Sequence, residues 1–184
     1  MSYYEVLLFV HVLAVALWLG TGFALLVLGD RFGRSGDDHA LASLFGQSEW
    51  LATRVFIPVS LTALVTGILL VIEGPWGFDQ LWVLLGLAGF AATFLTGLLL
   101  IKPESERIGA GLARDGMTPE AARAIGAMFA RQRIDYTVIA LVVADMTLKP
   151  TGDDVLTLVL MAAVLAAVVA LVLRGERRSA LRAA

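Results

Sequence analysis

The sequence predicts an all-α fold, a polytopic integral membrane bundle of five transmembrane helices with its N-terminus outside and its C-terminus in the cytoplasm. Three observations predict it. Apolar residues make up 59% of the 184 and charged residues only 16%, against roughly half and a quarter in a soluble domain. The charges gather in short blocks between long apolar runs instead of interleaving with them. Thirteen of the fourteen lysines and arginines fall in alternate connections, the bias that cytoplasmic loops carry.

About 20 apolar residues at 1.5 Å each cross roughly 30 Å of hydrocarbon. The first run, residues 6–29, has no basic leader and no cleavage site, so it is expected to stay as a helix. Residues 55–72, 81–101 and 155–173 meet or approach the same length. Residues 134–148 are fewer and carry Asp145, yet the charge pattern requires them to cross. The connection after the first run holds Arg31, Arg34 and Arg54; the one after the third holds Lys102, Arg107, Arg114, Arg123, Arg131 and Arg133; the tail holds Arg174, Arg177, Arg178 and Arg182. Lys149 alone lies on the other side. Without the fourth crossing the tail arginines would face outward, against the positive-inside rule. The spans form a single transmembrane domain, 1–184.

The connections are expected to contain helix, with Asp38 capping one and Thr118 capping another ahead of Pro119. Ala121, Ile125, Met128 and Phe129 keep helical spacing, so the fourth helix is expected to begin before it enters lipid. Residues 109–116, between two glycines, read as the flexible stretch. Pro58 is expected to kink the second helix and free a backbone carbonyl, with Thr62 in reach to satisfy it. Gly20, Gly22, Gly86, Gly89 and Gly97 permit close helix approach.

The absence of cysteine excludes disulfides, thiolate metal sites, iron–sulfur clusters and a cysteine nucleophile. No zinc motif, phosphate loop, nucleophile elbow or dinucleotide fingerprint occurs. The expected surroundings are the lipid bilayer and, for a small bundle, a homo-oligomer; a nucleic-acid partner is not expected.

Three polar side chains stand out. His11 is the single histidine inside a span, and polar groups buried in a bundle are paired or mark cofactor sites and proton paths. Its imidazole reads as a metal or cofactor ligand, a proton carrier or an interhelical hydrogen bond. Trp18 lies seven residues on and so shares its face, since a straight helix drifts only ~20° per heptad; it packs against a cofactor or another helix. Asp145 lies at the depth of His11 and reads as its hydrogen-bond partner or as a carboxylate at a wet helix end. Arg54 opens the second helix, where it snorkels to headgroups or holds an anion such as a propionate or phosphate. Asp135, four residues after Arg131, is placed for a salt bridge to it.

His11, Trp18 and Gly20 in the first helix, with Arg54, Pro58 and Gly67 (in Thr-Gly-Ile-Leu-Leu) in the second, resemble a bacterial family of integral membrane proteins, domain of unknown function 2269. The resemblance covers essentially the whole chain. Over the first two helices it extends to CopD-type copper-resistance proteins and HemJ-type protoporphyrinogen oxidases, and it implies location in the bacterial inner membrane. In that superfamily a first-helix histidine followed by tryptophan and glycine is associated with haem or metal binding, which places a haem b or metal on His11 with Trp18 beside it. The third run, 81–101, lacks the polar and basic residues of HemJ-type enzymes, and copper transport would call for more methionine and histidine. Three classes stay open: a haem-associated redox protein, a non-enzymatic membrane component that binds a partner, and a small-solute or proton-coupled transporter acting as an oligomer. Whether the chain is an enzyme is left undecided.

Overall fold

The structure, a computed structural model, describes the backbone of residues 2–183 and the side chains of residues 2–177. Every element among them is helical. Helix α1 (Tyr3–Ser35) opens with a capping box, in which the Ser2 hydroxyl accepts from the Glu5 amide and the Glu5 carboxylate from the Ser2 amide. It ends at Gly36, whose φ of 68° is the left-handed conformation that glycine adopts without penalty. Helix α2 (Asp38–Leu51) is capped by Asp37, which accepts from the Ala40 amide at 2.9 Å. The expected cap, Asp38, is instead the first helical residue.

α2 continues through a π-helical segment (Ala52–Phe56) into α3 (Ile57–Glu73), making one rod of 36 residues. α4 (Leu81–Thr96), a second π-helical segment (Gly97–Ile101) and α5 (Lys102–Asp115) make another of 35. Each π segment precedes a proline, Pro58 or Pro103. Proline has no N–H to donate and its ring crowds the carbonyl four residues back; a widened turn accommodates both defects. Thr62 donates to the Pro58 carbonyl at 2.8 Å. Residues 109–115, expected to be flexible, are helical because Ile108 and Leu112 pack into a core and Ser105 donates to Glu49 on α2 at 2.7 Å. Helix α6 (Pro119–Leu148) starts at the expected cap, Thr118, which accepts from the Ala121 amide at 3.1 Å, and α7 (Val155–Ala183) completes the chain.

Among the described residues, four helices are long and apolar enough to cross a membrane: Tyr3–Ser35, Asp38–Glu73, Leu81–Asp115 and Val155–Arg177. α6, which contains the fourth expected span, is not among them. It touches α1, α2, α4, α5 and α7, and a helix so enclosed can carry polar residues that a lipid-facing one cannot.

The largest buried cluster lies where the basic connections meet. Leu25 of α1, Leu41 and Phe45 of α2, Ile108 of α5, and Ile125 and Met128 of α6 pack there. Ion pairs stitch the same end, called here the basic end. Arg131 binds Glu104 through two hydrogen bonds of 2.7 and 2.8 Å and Glu176 at 3.1 Å, while Asp30 takes both Arg34 and Arg133. The expected Arg131–Asp135 pair does not form, since the two interhelical carboxylates already occupy the guanidinium fork. At the opposite end Val71, Trp82 and Val83 form a smaller cluster.

Close approach is real at three of the five glycines singled out by sequence. A β-carbon on Gly22 would overlap the Tyr136 ring, one on Gly86 the Met146 methyl, and one on Gly89 the Val142 side chain. Gly20 and Gly97 have no neighbour within 4 Å.

Candidate functional site

Between α1, α3, α4 and α6, towards the end opposite the basic one, the helices line a partly open cavity of about 690 Å³. That is within the range of small-molecule and cofactor sites, roughly 300–1,000 Å³. Its walls are almost wholly apolar. His11, Trp18, Gly67, Trp82, Phe90 and Met146 all line it. Trp18 meets Phe90 edge-on, centroids 5.8 Å apart, and Phe90 stacks on Phe94 at 5.7 Å. The shared face of His11 and Trp18 thus opens onto one space.

The imidazole of His11 is fixed through one nitrogen. Nδ1 lies 2.9 Å from the Ala63 carbonyl and 3.1 Å from Thr66 Oγ1. A carbonyl only accepts, so Nδ1 carries the proton. The Thr66 hydroxyl sends its own proton to the Thr62 carbonyl at 2.6 Å and so accepts at His11 as well. In the neutral ring this leaves the lone pair on Nε2, for which the described residues supply no hydrogen bond. A backbone carbonyl on Nδ1 is the usual second contact of a metal-ligating imidazole. Gly67 makes room for the ring, since a β-carbon there would stand 3.1 Å from Cε1.

Asp145 is not the partner of His11. Equal depth suggested the pair, but depth says nothing about azimuth: His11 turns to α3, whereas Asp145 turns to α4, with Oδ2 3.6 Å from a β-carbon built on Gly86. Nor does it sit in water. Asp145 is 1% exposed, and neither carboxylate oxygen has a hydrogen-bond partner among the described residues. Arg54 is exposed within the first π segment and does not line the cavity. It precedes Ala63 by nine residues, about 13 Å along a helix, so no single small anion bridges Arg54 and His11. His39 is exposed at the start of α2.

Residues 5–150 match the family model described as predicted integral membrane protein, DUF2269. The chain belongs to the DUF2269 family. The matched region runs from the start of α1 through α6, so all the cavity-lining residues except Tyr4 lie within the DUF2269 unit and α7 outside it. No curated protein and no solved structure matches the chain.

Sequence reasoning passed over three features of the DUF2269 site. Lys149 lines the cavity, with Nζ 3.8 Å from the centroid of the Trp76 ring and 5.3 Å from that of Trp82. Trp76 and Trp82 meet edge-on at 5.5 Å, and the Trp82 indole donates to Gln80 at 2.6 Å. Gly67 stands out in sequence only within its motif, and its contact to the imidazole appears only in the fold. The available signal was that Lys149 is the one basic residue on its side of the charge pattern, in a region that also holds two tryptophans.

Proposed function

We propose that this DUF2269 protein crosses the bacterial inner membrane five times, N-terminus outside and basic end in the cytoplasm, and binds haem b in its cavity with His11 Nε2 as axial ligand. The observation that carries the reading is the Nδ1–H bond to the Ala63 carbonyl, which leaves Nε2 as the free basic nitrogen of an apolar cavity. The residues fit the group in donor type, space and wall chemistry. Bound there, a haem would supply one-electron or gas-binding chemistry. The chain's own part is to hold the imidazole in one tautomer through Ala63 and Thr66 and to present Trp18 and Phe90 as an aromatic wall. The kinship with CopD-type and HemJ-type proteins belongs to this reading, as does α6 as the fifth span: its enclosure by neighbours explains how so polar a helix would cross.

A visible spectrum of the purified protein with and without dithionite tests it. After expression with ample haem, a Soret band is expected in the wild type and is expected to vanish in His11→Asn, while His39→Ala leaves it unchanged. Full haem occupancy in His11→Asn, or none in the wild type, overturns the proposal.

A further inference from the structure

Lys149 ends α6 in the left-handed conformation, φ 48° and ψ 56°, the one non-glycine residue with positive φ among those described. Glycine and asparagine are the usual occupants of such a position. The turn carries the side chain over the Trp76 ring at the cavity mouth. Among the described cavity-lining residues it is the one with a permanent charge. Its ammonium has three donors, yet it has neither an ion pair nor a hydrogen-bonded acceptor among the described residues. Asp154 accepts from the amide and hydroxyl of Thr151, both at 2.8 Å, and Asp145, four residues back on the same helix, faces Gly86. Ring faces attract an ammonium but give it no lone pair along its N–H bonds.

We propose that Lys149 is the anion anchor of the cavity: the site takes an amphiphile whose apolar body lies among the helices and whose anionic oxygen head, a carboxylate or phosphate, meets the ammonium beside Trp76. The aromatic pair holds the cation at the mouth, where it is partly desolvated and its attraction for an oxyanion is strengthened. The inference rests on the cavity being a ligand site, as in the proposed function, but not on His11 ligating iron.

The test is fluorescence titration of the full chain in phosphatidylcholine nanodiscs with dansylaminoundecanoate and its methyl ester, corrected against empty discs. A charge-assisted hydrogen bond corresponds to about tenfold or more in affinity, so the wild type should prefer the acid by at least about that factor. Lys149→Asn removes the charge while suiting the left-handed backbone, and should abolish the preference; Lys149→Arg and, away from the cavity, His39→Ala should retain it. Equal affinity for acid and ester in the wild type, no binding of the acid, or a preference that survives in Lys149→Asn overturns the proposal. Adding phosphatidylglycerol separates the sources of the anion: loss of acid binding in those discs assigns the anchor to a lipid headgroup, and persistence to a free ligand, each with the Lys149 dependence intact. An acid preference without a Soret band leaves the anchor standing and removes the haem; a Soret band without the preference does the reverse.

Discussion

Cε1 of His11 stands 3.1 Å from the position a β-carbon would take on Gly67. The imidazole is therefore held between α1 and α3 by a missing methyl group as well as by the Ala63 carbonyl. Gly67→Ala must shift the ring by a few tenths of an ångström. It should leave the fold intact and weaken ligand binding at Nε2, and Gly67→Val should do so more strongly. The Soret position and haem retention of the two variants measure this; unchanged spectra in both would show that the ring's placement does not matter.

Asp145 should destabilise the native bundle. A buried polar group without a partner costs about 1–3 kcal/mol, and neither oxygen of Asp145 has one among the described residues. Asp145→Leu, branched at the same carbon, should raise the thermal midpoint in a fixed detergent, whereas Asp145→Asn keeps an unsatisfied amide and should give little or none of that gain. The opposite order would mean that the carboxyl makes a hydrogen bond in the membrane.

Gly22 and Gly20 lie two residues apart and should respond unequally to the same change. Alanine at 22 drives its methyl into the Tyr136 ring of α6, while alanine at 20 meets nothing within 4 Å. Overpacking typically costs about 1–3 kcal/mol, so Gly22→Ala should lower the thermal midpoint and Gly20→Ala should leave it nearly unchanged. Equal effects would dissolve the α1–α6 contact.

The protein has no cysteine, so single cysteines report topology directly. Placed at the exposed positions of Asp79 and Thr151 they should react with an impermeant thiol reagent from outside; placed at Arg114 and Arg177 they should not. Thr151 and Arg177 decide the number of spans, because four crossings instead of five would exchange their sides.

The turn before α7 should lose its order in acid. Hydrogen bonds from the amide and hydroxyl of Thr151 hold the Asp154 carboxyl below its ordinary value of 3.8. A depressed carboxylate pKa stabilises the folded turn above the ordinary value, and that contribution fades as pH falls through the depressed one. Exchange of the Thr151 amide should accelerate over that window, and in Asp154→Asn the acid dependence should disappear.

The sequence by itself determined the all-helical class, the places of the apolar runs, the one-sided distribution of basic residues, the Thr118 cap and the common face of His11 and Trp18. Each of these is a property of one helix or of composition, legible in the order of residues because a single period, 3.6, relates them. Tertiary structure decided what those faces meet. Asp145 and His11 look like partners by depth, yet their helices turn them to different neighbours. Arg131 could have bonded Asp135 within α6 but finds Glu104 and Glu176 on other helices. Gly22 touches Tyr136 while Gly20 touches nothing. Lys149 reads as a turn residue until the chain folds it over Trp76. The azimuth and axial offset of one helix against another come from the packing of many side chains at once, and no single helix's sequence contains them.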